Sequence, residues 1–320
     1  MGKRLLSIIL ILAVLGSVGV YQYWSWITRK PFTVRYAYAP FAEDAPIFIA
    51  VEKGFFKEEN LNVSLTKFLA GAKMLEAAAA GSLDGGYFLI TQALQAFEGG
   101  VDLKLARGGS YQDLDHDASA MVTAVNSSIQ SMEDLRGKVF AVSGFAAHPM
   151  MVLQVAIEKH GLNVSDIQFT VIESSATRVQ ALVSGRIDVT HLGEPYLTQV
   201  LNAGNIRIIY RYVTEVFPNH RFQMSRSFFL KRFIDRDKEA VDAFTRAFNK
   251  AVDWINANPA ETREIIAKWT EIDVEIAKKM VVPAFTKDIM QDDIREIIDL
   301  MRHYGYLTKD IALQDFLYQG

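Results

Sequence analysis

The amino-acid sequence predicts an α/β protein of two similar lobes, preceded by an N-terminal membrane segment. Strand-like and helix-like patterns alternate along most of the chain, and the segment from Ala45 to Ile90 is echoed by the segment from Val155 to Thr198. In each copy a helix ends at Glu-Lys and Gly, Asn-Val begins a strand, and an Ala/Leu-rich helix stops at Gly before an Asp-bearing strand. A repeat of one α/β unit at such wide spacing indicates two lobes rather than a short-period solenoid.

Length and composition exclude several functional classes. The chain has 320 residues, enough for two domains, and its formal net charge is only -3, which argues against a nucleic-acid-binding protein. It contains no cysteine, so disulfides, thiolate metal sites, a cysteine nucleophile and a lipid-modified cysteine are all excluded.

The N-terminus predicts targeting to the membrane. Lys3 and Arg4 precede an almost continuously apolar run, and a Tyr/Trp cluster follows it. One interpretation is a signal peptide cleaved after Gly19. The other, which we favour because aromatic residues suit a membrane interface, is an uncleaved anchor over residues 5–27. Both interpretations place the rest of the chain outside the cytoplasm.

Local patterns then predict the elements in order. The expected strands are Thr33–Ala39, Asn62–Phe68, Leu83–Leu89, Val101–Ala106, Ser119–Val125, Val139–Val142 and Ile206–Val213. The expected helices begin near Pro46, Gly71, Thr91, Ser131, His148, Asp237 and Pro259. Glu43 and Asp44 lie before the first of these helices, where carboxylates favour the positive end of its dipole. The alternation predicts mostly parallel sheets with helices on both faces.

Two breaks in this alternation predict the lobe boundaries. The polar, acidic stretch from Gly108 to Ala118 is expected to be a loop that crosses between lobes, and Phe217 to Leu230 is expected to cross back. The predicted division assigns residues 1–30 to the membrane segment, 31–117 and 222–320 to one lobe, and 118–221 to the other.

A ligand site is expected where strands lead into helices, because ligands in open α/β sheets bind beyond the carboxyl ends of the strands. The turns concerned are Pro40–Pro46, Ala70–Lys73, Ile90–Gln92, Ser143–His148, Ser174–Thr177 and Gly193–Tyr196. Any one turn taken alone is better explained as an ordinary helix cap, but six such turns at matching places in two lobes favour a shared cleft. Within them, His148 and Glu194 are the candidate polar contacts, and Phe41 and Tyr196 are the candidate aromatic walls.

Signatures of catalysis are absent from the sequence. It has no P-loop lysine motif, no His-Glu-x-x-His and no Gly-x-Ser-x-Gly, and its six histidines lack metal-ligand spacing. The cluster Asp113, Asp115, His116 and Asp117 is interpreted as an acidic solvent loop rather than a metal site. No cofactor and no catalytic residue is predicted.

Five runs of sequence in the expected order resemble one protein family. They are APIFIAVEKGFFKEENLNV, FLAGAKMLEAAAAGSLDGGY, SMEDLRGKVFAVSGFAAH, VQALVSGRIDVTHLGEPYL and WINANPAETREIIAKW. The chain resembles the substrate-binding proteins of nitrate, sulfonate and taurine ABC importers, a class that includes binders of thiamine-pyrimidine precursors and riboflavin (NMT1/THI5-like). The resemblance implies a type II periplasmic-binding-protein fold, with two hinge crossings and a ligand enclosed by hinge closure.

The resemblance also implies binding positions, loop by loop. In the first lobe they are Phe41, Ala45, Gly71, Ala72, Ile90 and Thr91. In the second they are Gly144, Ala147, His148 and Glu194. Many relatives have Ser or Thr at positions 71 and 72 and Trp at position 193, where this chain has Gly71, Ala72 and Gly193. These departures weaken a sulfonate or nitrate assignment, and Glu194 suits a ligand with N–H donors such as an aminopyrimidine. Lys73 can still complement an anion, so a sulfonate-, taurine- or nitrate-like ligand stays open beside an aminopyrimidine or vitamin precursor.

The expected function is therefore an extracytoplasmic solute-binding protein, not an enzyme, that delivers a small organic molecule to an ABC permease. Its expected partners are that ligand, the permease and, through the N-terminal segment, the membrane. Two alternatives remain: an enzyme of pyrimidine or cofactor biosynthesis on the same fold, and a ligand-binding sensory domain. The related pyrimidine synthases use a cysteine-rich motif, which this chain lacks.

Overall fold

The computed structural model describes residues 30–69, 71–144, 148–211, 216–217 and 221–320. Its strands are β1 Phe32–Tyr38, β2 Leu61–Lys67, β3 Gly85–Leu89, β4 Leu103–Gln112, β5 Ser119–Ala124, β6 Val139–Val142, β7 Gln168–Val171, β8 Val189–Gly193, β9 Ile206–Tyr210, β10 Phe222–Leu230 and β11 Ala284–Thr286. The α-helices are Ala45–Glu52, Phe55–Glu58, Gly71–Ala79, Ile90–Glu98, His148–Lys159, Ser175–Val183, Tyr196–Asn202, Lys231–Arg236, Lys238–Ala257, Pro259–Thr270, Val274–Ala277, Gln291–His303 and Leu313–Phe316.

The strands form two sheets, and the five strands of the second, listed in reverse, are arranged like the last five strands of the first. The first is β11-β4-β10-β3-β1-β2 and the second is β7-β6-β8-β5-β9. In both, three parallel strands are followed by one antiparallel strand, which is β10 in the first sheet and β5 in the second. The repeated unit predicted from the sequence is confirmed, because each copy supplies two of the three parallel strands, β2 and β3 in the first sheet and β7 and β8 in the second.

The expectation of mostly parallel sheets is wrong. β1 pairs in parallel with β2 and β3, and β6 with β7 and β8, but β4, β5, β9, β10 and β11 pair only antiparallel among the described strands. The chain leaves the first sheet after β4 and returns in β10. Strand β10 therefore runs antiparallel to both of its neighbours, β3 and β4. Local periodicity does not carry that information.

Strand β4 is longer than predicted, because it continues to Gln112, into the segment Gly108 to Ala118 that was expected to be a loop. Gly108 and Gly109 lie inside it, next to β11 and β10. A Cβ on Gly108 would lie 2.1 Å from the main-chain oxygen of Thr286. These glycines allow backbones to approach closely within a strand. The acidic stretch therefore begins only after Gln112.

The segment Phe217–Leu230 is also more than a crossing. Its residues Phe222–Leu230 form β10, which is buried along its whole length between β3 and β4. Polar residues such as Ser225 and Arg226 concealed this strand in the sequence, because a central strand usually appears as an apolar run.

The helix Lys238–Ala257 covers one face of the first sheet, as its apolar stripe predicts. Val241, Phe244, Phe248 and Val252 are all buried. The ring centroid of Phe244 lies 4.5 Å from that of Tyr36 on β1. Burial of this stripe fixes the helix against the sheet.

One hydrogen bond joins the two ends of the first crossing, and another joins the first crossing to the second. Ser119 Oγ, at the start of β5, donates to Gln112 Oε1, at the end of β4, at 2.7 Å. Arg211, which follows β9, donates from Nη1 to the main-chain oxygen of Asp117 at 2.8 Å. We retain the predicted lobe boundaries as a proposal because each sheet takes all its strands from one of the two parts.

The predicted signal peptide or anchor falls on residues that the structure does not describe, residues 1–29. Among the described helices, none combines the length and apolarity needed to cross a bilayer.

Candidate ligand-binding site

A cavity of about 700 Å³ lies where the carboxyl ends of both sets of parallel strands meet. From the part before the first crossing, its lining includes Ala39, Phe41, Glu43, Asp44, Leu69, Gly71, Ala72, Met74, Leu75, Glu76, Tyr87, Phe88, Leu89, Gln92 and Gln95. From the part between the crossings it includes Ser119, Ser143, Gly144, Val171, Glu173, Ser175, Arg178, His191 and Gly193, and from β10 Met224 and Ser225. The cavity size suits a small organic molecule.

Four of the predicted contact residues line this cavity: Phe41, Gly71, Ala72 and Gly144. Phe41 follows β1, Gly71 and Ala72 open a helix, and Gly144 follows β6. Gly71 lies against Gln92, since a Cβ there would be 2.0 Å from Gln92 Oε1. The strand-to-helix turns of both repeats thus meet at one site.

Three others lie in the core instead of the lining. Ala45, Ile90 and Thr91 are almost completely buried and do not line the cavity. Ala45 packs with the cluster under helix Lys238–Ala257, and Ile90 with the cluster on the opposite face. A residue in the first turn of a helix points either to the cleft or to the sheet, and the sequence does not distinguish the two.

Glu194 is buried outside the cavity lining and links secondary-structure elements. Its carboxylate accepts from the Thr198 N–H at 3.0 Å, from Thr198 Oγ1 at 2.7 Å and from the Val281 N–H at 3.4 Å. Its main-chain oxygen accepts from the Ala42 N–H at 3.2 Å. Because its acceptors are satisfied by the protein, its position does not support the predicted ligand contact.

Tyr196 lies behind the lining rather than in it. Its ring packs edge-on against Phe41, with 5.7 Å between centroids. Tyr196 therefore supports the aromatic wall that Phe41 provides. Ala147 lies outside the described residues, as does the His148 side chain, so both stay predictions.

Glu43 and Asp44 are acids at the cavity that the sequence assigned only to the helix dipole. Glu43 is 6% exposed, and its Oε2 has no hydrogen-bond partner among the described residues. Burial raises the pKa of Glu43 to about 7, and the nearby Glu194 carboxylate adds to the rise. Burial also raises the pKa of Asp44, although Asp44 Oδ1 accepts from the Ala39 N–H at 2.8 Å.

Among the described residues that line the cavity, Arg178 carries the permanent positive charge. The sequence patterns did not predict it as a site residue. Its Nη1 donates to the main-chain oxygens of Ile172 (2.7 Å) and Glu173 (2.8 Å), and its Nη2 to Ser175 Oγ (2.9 Å). The guanidinium thus holds the turn from β7 into the next helix. Its position one turn after the capping residue Ser174 was the available signal.

The acidic loop after β4 holds no metal-type cluster. His116 Nδ1 lies 2.8 Å from Asp113 Oδ1. Among the residues that the structure describes, no group of three or more His, Asp or Glu side chains is arranged to hold a metal ion.

Sequence comparison settles the family. The model of the NMT1-like family matches residues 28–271, which is more than half of the chain. This chain belongs to the NMT1-like family. A Brucella abortus (strain 2308) protein provisionally named a binding protein is 27% identical over 241 residues, covering 70% of this chain and 67% of that one. A Bacillus subtilis (strain 168) protein provisionally named an aliphatic sulfonates-binding protein is 25% identical over 274 residues, covering 83% and 79%.

Solved structures place the NMT1-like chain in a known fold. The periplasmic aliphatic sulphonate binding protein SsuA of Escherichia coli superposes with a TM-score of 0.73 at 19% identity, covering 90% of this chain and 98% of SsuA. The chain therefore has the two-domain α/β fold of periplasmic binding proteins, as expected from the sequence.

Glu43 makes the stability of this NMT1-like protein depend on pH. Its pKa rises from 4.5 to about 7 on folding, so between these values the native state keeps a proton that the unfolded chain loses. Native stability should fall across this window by about 3 kcal/mol. The nearby Glu194 carboxyl adds to the rise in the pKa of Glu43, and a hydrogen bond from the Gln112 side chain counteracts part of it.

We therefore expect the Glu43→Gln variant to gain stability over the parent as pH rises from about 5 to about 8, by roughly 2–3 kcal/mol. Urea unfolding of both proteins at the two pH values measures this gain. A difference between the proteins that does not change with pH would contradict it.

Glu194→Ala should destabilise the protein without weakening ligand binding. The change leaves Thr198 and Val281 donors without their acceptor, at a cost of about 2 kcal/mol. Urea unfolding and ligand titration measure the two effects, with the exposed Glu264→Ala as control. If Glu194→Ala lost ligand affinity while its stability stayed unchanged, Glu194 would be a ligand contact and the prediction would be wrong.

Proposed function

We propose that this protein is an extracytoplasmic solute-binding protein that delivers a small organic molecule to an ABC importer. The observation that carries the proposal is the cavity itself, which is lined from both sheets at the carboxyl ends of their strands. Such a site gains contacts when the lobes rotate toward each other, so ligand binding shifts an open–closed equilibrium. The permease then recognises the closed surface.

The names of the relatives support a binding role. The Bacillus subtilis relative is named for aliphatic sulfonates, and the Escherichia coli structure is of a periplasmic sulphonate-binding protein. The lining of this cavity supports binding of a small molecule, because it combines apolar side chains with polar groups.

Native mass spectrometry of gently purified protein tests this function. A stoichiometric small molecule that is released unchanged would support it, together with compaction on ligand addition in small-angle X-ray scattering. Chemical conversion of that molecule would overturn the proposal in favour of an enzyme.

We also propose that residues 5–27 direct the chain across the membrane, either as an anchor or as part of a signal peptide. N-terminal sequencing of the mature protein from its native host decides between them. A mature chain that begins at Met1 and fractionates with the membrane indicates an anchor. A chain that begins near Val20 indicates cleavage, and one that begins at Met1 in the cytosol contradicts the proposed location.

A further inference from the structure

We propose that residues 304–309, named the C-terminal strap, tie the two lobes together and hold the cavity closed. The proposal rests on the proposed function, because it concerns the opening and closing of the same cavity, and on the proposed lobe boundaries. It is carried by hydrogen bonds that the strap makes to one helix of each lobe.

One side of the strap is fixed to the helix Ile90–Glu98 of the first lobe. Glu98 Oε1 accepts hydrogen bonds from the N–H groups of Thr308 (2.7 Å) and Lys309 (2.6 Å). It also accepts one from Thr308 Oγ1 at 3.2 Å. A single carboxylate oxygen at the end of the helix therefore holds two consecutive residues of the strap.

The same helix carries side chains that line the cavity. Gln92 and Gln95 both belong to the lining, and Glu98 lies one further turn along the helix. Gln95 Nε2 donates to the main-chain oxygen of Tyr306 at 3.4 Å. The strap is thus in direct contact with a residue of the ligand cavity.

The other side of the strap is bonded to the helix His148–Lys159, which connects β6 to β7 in the second sheet. Tyr304 Oη donates to Glu158 Oε2 at 2.7 Å, and Tyr306 Oη donates to Gln154 Oε1. The two acceptors lie one turn apart, so they are on the same face of this helix. Both tyrosines therefore reach from the first lobe to one face of a second-lobe helix.

Apolar packing supports the strap on this side of the molecule. Leu307 is buried and belongs to one continuous core with Leu94 of the first lobe and Val155 of the second. Tyr304 and Tyr306 pack against the same core. The opposite faces of the two sheets have separate cores in the described part of the chain. The strap therefore lies where the packing of the two lobes is continuous.

These contacts favour the arrangement in which both lobes line the cavity. A bond between the lobes that forms only when they are close stabilises the closed state relative to the open state. The phenol hydroxyls of Tyr304 and Tyr306 make two such bonds. Removing both should raise the ratio of open to closed protein about fivefold, because each side-chain hydrogen bond contributes modestly.

Double electron–electron resonance on the ligand-free, full-length protein measures this shift. The chain has no native cysteine, so spin labels on Ser82→Cys in the first lobe and Ser184→Cys in the second, both exposed, report a single distance. Combining Tyr304→Phe with Tyr306→Phe should increase the population at longer distances about fivefold. A distance distribution identical to that of the labelled parent would overturn the proposal.

Two further variants separate the strap from a general loosening of the fold. Glu98→Ala releases the other side of the strap and should shift the distances in the same direction. Tyr318→Phe is the matched control, because Tyr318 Oη donates to Asp242 Oδ1 at 2.8 Å within the first lobe. Its distances should match those of the parent. An equal shift in Tyr318→Phe, or no shift in Glu98→Ala, would contradict the role of the strap.

The outcomes distinguish this proposal from the function on which it rests. If a ligand compacts the protein but the tyrosine variants leave the lobe distances unchanged, solute binding stands and the strap fails. If a compound bound in the cavity is chemically converted, the proposed function fails, and the distances still decide whether the strap joins the lobes.

Discussion

Replacing Gly144 by phenylalanine is expected to abolish ligand binding while leaving the fold intact. Gly144 follows β6 and lines the cavity, and a Cβ at this position would meet no heavy atom of the described residues within 4 Å. Its backbone also lies outside the left-handed region, so a side chain is not strained there. A phenyl ring at this lining position therefore takes up space at the cavity. We expect affinity to fall by about a hundredfold or more because the occupied volume excludes the ligand.

Ligand titration by calorimetry and thermal unfolding together measure this result. Ala312→Phe adds the same ring at an exposed position and should leave affinity unchanged. The melting temperature of Gly144→Phe without ligand should stay near that of the parent. Unchanged affinity in Gly144→Phe would show that the cavity is not the binding site.

Replacing Gly109 by alanine is expected to destabilise the protein strongly. The added Cβ would lie 2.1 Å from the main-chain oxygen of Ser225, 2.7 Å from Arg226 Nη1 and 2.9 Å from Tyr87 Oη. The oxygen belongs to β10, which is paired on both sides and cannot retreat without disturbing β3 or β4. We expect a loss of about 3 kcal/mol in the free energy of unfolding, or roughly 6 °C in melting temperature.

Gly144→Ala is the matched control for this substitution. The same added methyl meets no atom of the described residues within 4 Å there, so its effect should stay within about 1 kcal/mol. Urea unfolding of both variants gives the comparison. A Gly109→Ala protein as stable as the parent would mean that β4 and β10 do not approach as closely as the structure shows.

The position of the site was predictable because it follows from chain direction. Parallel strands end at the same edge of a sheet, so chain direction alone predicts that the turns containing Gly71 and Gly144 meet at one cavity. Which side chain in each turn faces the cavity was not predictable. Ala45 and Thr91 point into the core, whereas Glu43 and Gln92, one or two positions away, line the cavity.

Two acids occupy positions that differ from the expectation for a similar reason. Glu194 precedes a proline at the end of a strand and was expected to contact ligand, but Thr198 and Val281 satisfy its carboxylate. Glu43 was expected to serve the helix dipole, and it lines the cavity with Oε2 unpaired. Hydrogen-bond satisfaction depends on partners distant in sequence, which local patterns do not specify.

The sequence by itself determined the α/β alternation, the repeated unit and hence the two lobes, because these depend on the periodicity and caps of short segments. Only the tertiary structure decided that β4 continues through Gly108 and Gly109, that polar β10 is a central strand, and that Glu43 reaches the cavity. Each of these results from a contact between segments far apart in the chain, such as β4 with β10 and β11. Close backbone approach and buried polar pairing are properties of such contacts, so they become visible only when the chain is folded.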